Sequence, residues 1–239
     1  MYDESRTFGD VIGDLCVSGK VTLLALTGQA GAGKTNHIAP LIVAEAEKRG
    51  HHSCRLGLDV FFRLSSRDRA TWIAEGDKKS SAESLRRRDQ INWWDFGKAQ
   101  TCLNIIRQGK PLRLEEVYNR EDGGELTRTE EVIPPDEGML LVFDGVAVCH
   151  LEGFDEVMYV HAPAEIRLER LRERDVHRKG EQILERFGIT QEFECHYFPE
   201  YWDAITSFVD NSVDNPRVMQ QMSHVTALNR GFVPEKSTL

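Results

Sequence analysis

Apolar residues in this chain fall in short unbroken runs rather than in strict alternation. Val21-Thr22-Leu23-Leu24-Ala25-Leu26-Thr27 is one such run, and Met139-Leu140-Leu141-Val142-Phe143 is another. Runs of this kind predict strands covered on both faces, as in a parallel sheet. Segments at Ser53–Leu58, Glu156–Val160 and Thr206–Asp210 extend the series to about five strands. Between them the pattern predicts helices over Lys34–Arg49, closed by Gly50, over Ser65–Glu75, and over Phe96–Gln108, closed by Gly109. Ala164–Arg174 predicts a basic helix, one or more helices follow Gly180, and a last helix is expected over Pro216–Asn229. Strands alternating with helices imply an α/β fold of three layers, a parallel sheet with helices on both faces.

One stretch departs from that alternation. Leu112–Arg120 and Glu125–Ile133 flank Asp122-Gly123-Gly124, which predicts a β-hairpin inserted at about residues 110–134. A length of 239 residues suits a single domain over 1–239. The net charge of −9 argues against a nucleic-acid partner, because a phosphate backbone wants a basic face. Cys16, Cys54, Cys102, Cys149 and Cys195 are scattered and contain no C-x-x-C pair, so free thiols in a reducing compartment are expected. The polar, acidic Met1–Asp10 is no signal peptide, and no apolar run approaches the length of a membrane span. A cytoplasmic protein without membrane association is the expectation.

"GQAGAGKT", residues 28–35, changes the picture. Gly28, Gly33, Lys34 and Thr35 fit G-x-x-x-x-G-K-[ST], and the motif stands between a buried strand and a helix. Glycines let the backbone wrap so that its N–H groups point at phosphate oxygens. The small residues Ala30, Gly31 and Ala32 keep side chains out of the cradle. Lys34 can reach the outer phosphates and Thr35 can ligate Mg2+. A P-loop NTPase fold that binds a nucleoside triphosphate follows.

The motifs of a GTPase switch are missing. The one D-x-x-G, Asp10-Val11-Ile12-Gly13, precedes the loop, and no asparagine is followed by lysine. A small-molecule kinase needs a carboxylate for the acceptor hydroxyl, a carboxylate for Mg2+, and cations around the transferring phosphoryl group. Asp59 and Asp144 each end a predicted strand, where ligands of open parallel sheets bind. Each also suits an ordinary turn or helix cap. Arg167, Arg170 and Arg174 recur on one helix face, which fits either a phosphate clamp or a solvated face interleaved with Glu165, Glu169 and Glu173.

Taken together and in order, these segments resemble the uridine kinase/phosphoribulokinase family of P-loop kinases. "DVFFR", residues 59–63, is similar to that family's D-x-F-Y-R, and "NWWDF", residues 92–96, to the segment whose aspartate meets a sugar hydroxyl. Pro111 and Arg120 have the spacing of its hairpin element, "VFDGV" resembles its E-G-I strand end, and "RLERLRERDVHRKGEQIL" its arginine helix and lid. The resemblance implies an ATP- and Mg2+-dependent kinase acting on a small-molecule acceptor, with a short lid at about 174–182 and a possible homo-oligomer. It implies catalytic roles for Asp59, Lys34, Arg170 and Arg174, and Mg2+ at Thr35 and Asp144. ATP would lie on Gly28, Gln29, Ala30, Gly31, Ala32, Gly33, Lys34, Thr35 and Arg178. The acceptor would face Asp59, Phe62, Arg63, Asp95, Arg113, Tyr118 and Arg120.

The sequence also departs from that family. Arg113, Glu115 and Tyr118 stand at the spacing where its uridine kinases carry aromatic and histidine residues, and Phe62 replaces a tyrosine. Charged residues there imply a polar or sugar-like acceptor rather than a stacked base. A nucleoside kinase, or a nucleotide-binding regulator without turnover, is the alternative. Of Trp93 and Trp94, at most one can face a substrate, because adjacent side chains point apart. Arg86-Arg87-Arg88 suits either a mobile segment that attracts an anionic acceptor or a solvated loop.

Overall fold

The computed structural model describes residues 7–174, 180–212, 216–219, 222–229 and 231. Helix α1 (Phe8–Leu15) leads into strand β1 (Lys20–Gly28), and the phosphate-loop motif then opens a wide π-turn (Lys34–Ile38) that continues as α2 (Ala39–Lys48). Ile38 N donates five residues back to Gly33 O at 3.0 Å, the wide-turn bond, and Pro40, which has no N–H to donate, sits in the first turn of α2. Next come β2 (Ser53–Gly57), α3 (Ser66–Lys79), α4 (Ser81–Arg88) and α5 (Phe96–Arg107). The hairpin β3 (Leu112–Asn119) and β4 (Glu125–Val132) follows, then β5 (Gly138–Asp144) and β6 (Glu156–His161). The chain ends with α6 (Ala164–Arg174), α7 (Gly180–Tyr201), β7 (Ser207–Asp210), β8 (Arg217–Met219) and α8 (His224–Asn229).

The sheet order is β2-β5-β1-β6-β7-β8, with every pair parallel except β7–β8. Successive residues of the central strands feed opposite cores, which is why their sequences read as unbroken apolar runs. Leu24 and Leu26 of β1 and Leu140 and Val142 of β5 pack with Ile12, Ile42 and Ala46 of α1 and α2. Leu23, Ala25, Leu141 and Phe143 pack on the other face with Leu103 and Ile106 of α5, Val117 of the hairpin and Phe198 of α7. The result is the three-layer α/β/α arrangement with a hairpin that the pattern predicts.

Three elements differ from expectation. The predicted helix over Pro216–Asn229 is a strand and a short helix. Arg217–Met219 pairs antiparallel with β7, which sends Val218 to one core and Met219 to the other. Helix α1 was not predicted; a reciprocal cap sets it, with Asp10 N donating to Thr7 Oγ1 at 3.2 Å and Thr7 N to Asp10 Oδ2 at 2.8 Å. The Arg86–Arg88 run lies in α4 rather than in a loop. Arg86 and Arg87 each pair with Glu83 at 3.0 Å, and Arg88 pairs with Asp77 at 2.7 Å, so the run is tied into its own helical layer. Most of the expected lid, including Arg178, lies outside the described residues.

Phe143, fully buried at the centre of the sheet, is the natural probe of this core. Phe143→Ala is expected to lower unfolding stability by about 3–5 kcal/mol, read from urea denaturation midpoints.

Candidate active site

Strand β1 stops where the backbone turns into the phosphate loop, and glycine is required there. At Gly28, φ is 134° and a Cβ would sit 2.3 Å from Val160 O of β6. At Gly31, φ is 81° and a Cβ would sit 2.5 Å from Arg167 O of α6. Lys34 is buried inside the loop, its Nζ donating to Gly28 O at 2.7 Å and Gln29 O at 2.9 Å. Burial pulls its pKa down to about 8, against the attraction of the Glu194, Asp144 and Asp59 carboxylates. The loop is held from behind. Asn211 Nδ2 and Arg170 Nη1 donate to Ala32 O at 2.7 and 3.0 Å, while Gln29 and Ala32 are buried beneath the surface that Ala30, Gly31 and Gly33 present.

The carboxylates stand at the ends of neighbouring strands. Asp144 closes β5; its Oδ2 accepts from Thr35 Oγ1 at 2.5 Å and its Oδ1 from Arg55 Nε of β2 at 2.5 Å. Asp59 lies in the 3-10 turn Leu58–Phe61 after β2 and pairs with Arg120 beyond β3. Because β5 and β6 lie on opposite sides of β1, the crevice opens beside the loop, as at the switch point of other open parallel sheets. Thr35 and Asp144 form a sparse, all-oxygen donor set. That fits Mg2+, which takes one or two protein ligands and completes its shell with water and phosphate. Among the described residues there is no cluster of three or more histidine, cysteine or acidic side chains able to hold a metal.

The loop, Asp59 and Asp144 open onto one cleft of about 710 Å3. Its far wall comes from Phe62, Trp93 and Trp94, with Tyr118 of the hairpin. Phe62 stacks on Trp94 with ring centres 5.2 Å apart and meets the edge of Tyr118 at 4.9 Å. The Arg69 guanidinium lies 4.1 Å from the Phe62 ring centre. Tyr118 Oη and Ser66 Oγ are 3.1 Å apart, which ties the hairpin to the start of α3.

Several residues expected at the acceptor lie elsewhere. Arg113 does not line the cleft. It is exposed on the hairpin and pairs with the equally exposed Glu115 at 3.0 Å. The aromatic wall is therefore present, carried by Phe62, the two tryptophans and Tyr118, and the contrast drawn from Arg113 and Glu115 does not hold. Both tryptophans reach the cleft, because the residues between α4 and α5 form a 3-10 turn rather than a regular element with opposed side chains. Arg63 is also outside the cleft; its Nε donates to Trp94 O at 2.9 Å and braces that turn. Asp95 caps α5, accepting from Lys98 N at 3.0 Å, and does not line the cleft.

The arginines of α6 form a gradient along one face. Arg167 is buried with Nη1 3.2 Å from Ala30 O, Arg170 is half-buried and lines the cleft, and the exposed Arg174 lines it as well. The expected binding residue Arg178 lies outside the described residues. Arg55, Asn211 and Glu194 also shape the site, and no motif announced them, since each comes from a different element and meets the loop only in three dimensions.

No family model and no curated protein matches this sequence. Solved structures do match in fold. Phosphoribulokinase from Rhodobacter spheroides has a TM-score of 0.54 at 13% identity, covering 81% of this chain and 71% of its own. This chain has the phosphoribulokinase fold. The YGR205w protein gives 0.53 at 14% identity, with 84% and 90% covered, and a candidate fructose transport system kinase from Silicibacter sp. TM1040 gives 0.51 at 17%, with 70% and 79% covered. Within the phosphoribulokinase fold the chain's glycine-rich loop, Asp59 and the arginine helix converge on one crevice. No helix among the described residues is long and apolar enough to cross a membrane.

The buried lysine yields a measurable consequence. In the free protein Lys34 becomes neutral above about pH 8, whereas a bound triphosphate favours its charged form. Triphosphate binding is expected to take up protons at pH 9 and to weaken as pH rises past 8. Calorimetry in two buffers of different ionisation enthalpy reads the uptake; equal heats in both would contradict it.

Proposed function

We propose that this chain is a single-domain, ATP- and Mg2+-dependent kinase that phosphorylates a hydroxyl of a small polar, sugar-like metabolite. One observation carries the reading: a glycine-rich phosphate loop and the Asp59 carboxylate open onto the same cleft, with cations on its walls. Asp59 aligns the acceptor hydroxyl and takes its proton as the new P–O bond forms on the γ-phosphorus and the bond to the departing ADP breaks. Lys34, Arg170 and Arg174 offset the charge that gathers on the phosphoryl oxygens. Thr35 and Asp144 are the residues that would hold Mg2+, which supplies charge neutralisation to the phosphates when bound. Arg120 keeps Asp59 engaged within the cleft, so an acceptor must insert against that pair to reach the carboxylate.

The acceptor side supports a sugar-like molecule. Ser66, Gln90, Thr190 and Arg120 offer polar contacts in the cleft beside the aromatic wall, which suits a ring with an apolar C–H face and several hydroxyls. Nucleosides, sugars, sugar phosphates and hydroxy acids should be screened for acceptor-dependent ADP release, with a sugar-like acceptor expected to outperform uridine. Asp59→Asn should cut the rate with that acceptor by about 10^2–10^4-fold while leaving ATP binding in place. A clear preference for uridine, or an Asp59→Asn enzyme of undiminished rate, would overturn this assignment.

A further inference from the structure

Glu194, in the C-terminal half of α7, is fully buried directly behind the phosphate loop. Its Oε1 accepts from Ala30 N at 2.5 Å, and its Oε2 lies 3.4 Å from Gln29 Nε2. The same carboxylate pairs with the buried Arg167 at 3.7 Å, and Arg167 Nη1 donates to Ala30 O at 3.2 Å. Ala30 is thus gripped at its N–H by α7 and at its C=O by α6, the two helices on either side of residues 175–179. A buried carboxylate is costly unless paired and hydrogen-bonded, and here every partner is either part of the loop or fastened to it.

We propose that Glu194 is a positioning residue of the phosphate loop, which its carboxylate holds in the triphosphate-binding shape through Ala30 and Arg167. The role rests on the kinase reading only in that a triphosphate is the loop's ligand. Glu194 touches no part of the cleft surface, so it acts through the loop and not on the substrate. The groups facing it are Arg167 from α6, Lys34 and Gln29 from the loop, Tyr159 from β6 and the adjacent Cys195. Burial pushes the carboxyl up to about 7, against the pull of Arg167, the Ala30 N–H and Lys34. Protonation near neutrality removes the charge that binds Ala30 and Arg167 together, so the grip loosens as pH falls.

The test compares ATP binding by wild type and by the isosteric Glu194→Gln across pH 6–8.5, using calorimetry and no acceptor. At pH 8 the variant is expected to bind about tenfold more weakly, the usual scale of one lost charged hydrogen bond. The ratio of the two dissociation constants should shrink toward one by pH 6, because the wild type then carries a neutral group as well; titration of the ATP phosphates cancels in that ratio. Glu194→Asp, whose shorter carboxylate does not span both partners, should bind with intermediate affinity. A ratio of one at pH 8, a ratio independent of pH, or wild-type affinity in Glu194→Asp would overturn the role while leaving the kinase reading intact. A wild-type protein that binds no triphosphate overturns both.

Discussion

A buried lysine governs this site. Lys34 sits among backbone carbonyls with little water around it, where a lone ammonium is unfavourable. Several groups near the loop compensate for that burial, against the repulsion of the nearby Arg167. Glycines at 28 and 31 let the carbonyls converge on the ammonium, and the Glu194, Asp144 and Asp59 carboxylates surround it at longer range. The loop is thus arranged around a positive charge that a triphosphate would balance from the cleft side.

The same economy extends across the crevice. Asp144 is held by Arg55 of the neighbouring strand, Asp59 by Arg120 of the hairpin, and Glu194 by Arg167 of α6. The first two pairs join elements far apart in sequence and the third joins consecutive helices, so the pairs both satisfy buried or half-buried charge and fix how the elements meet. This is how a chain of net charge −9 presents a cleft suited to a polyanion: Lys34, Arg55, Arg120, Arg170 and Arg174 line it, and the carboxylates Asp59 and Asp144 are each paired with a guanidinium.

The hairpin completes the far wall by bringing Tyr118 against Phe62 and Ser66. Arg69, beneath the rings, packs on Phe62 and Trp93 and links α3 to the same wall. An aromatic surface beside hydrogen-bonding side chains makes one end of the cleft unlike the end at the glycine-rich loop, so under the proposed reading the two ends can take two different molecules.

Strand β1, the loop at 28–35, α6 and both arms of the hairpin were legible because their signals are local. An apolar run, a glycine spacing and a turn motif each act within a dozen residues. Strand ends were legible too, so Asp59 and Asp144 could be placed at a crevice before any coordinates. What stayed hidden depended on side-chain direction. Arg113 turns outward with Glu115, Asp95 caps a helix and Arg63 braces a turn, since hairpin irregularity and capping geometry are settled by packing against the rest of the molecule. Arg217–Met219 became a strand only because β7 offered a free edge. Glu194 stands 164 residues from Ala30, and no local pattern marks it. The sequence by itself determined a layered α/β chain with a phosphate loop; which charges meet, and which face the cleft, was decided by tertiary structure, because electrostatic pairing is set by distance in space and not by separation along the chain.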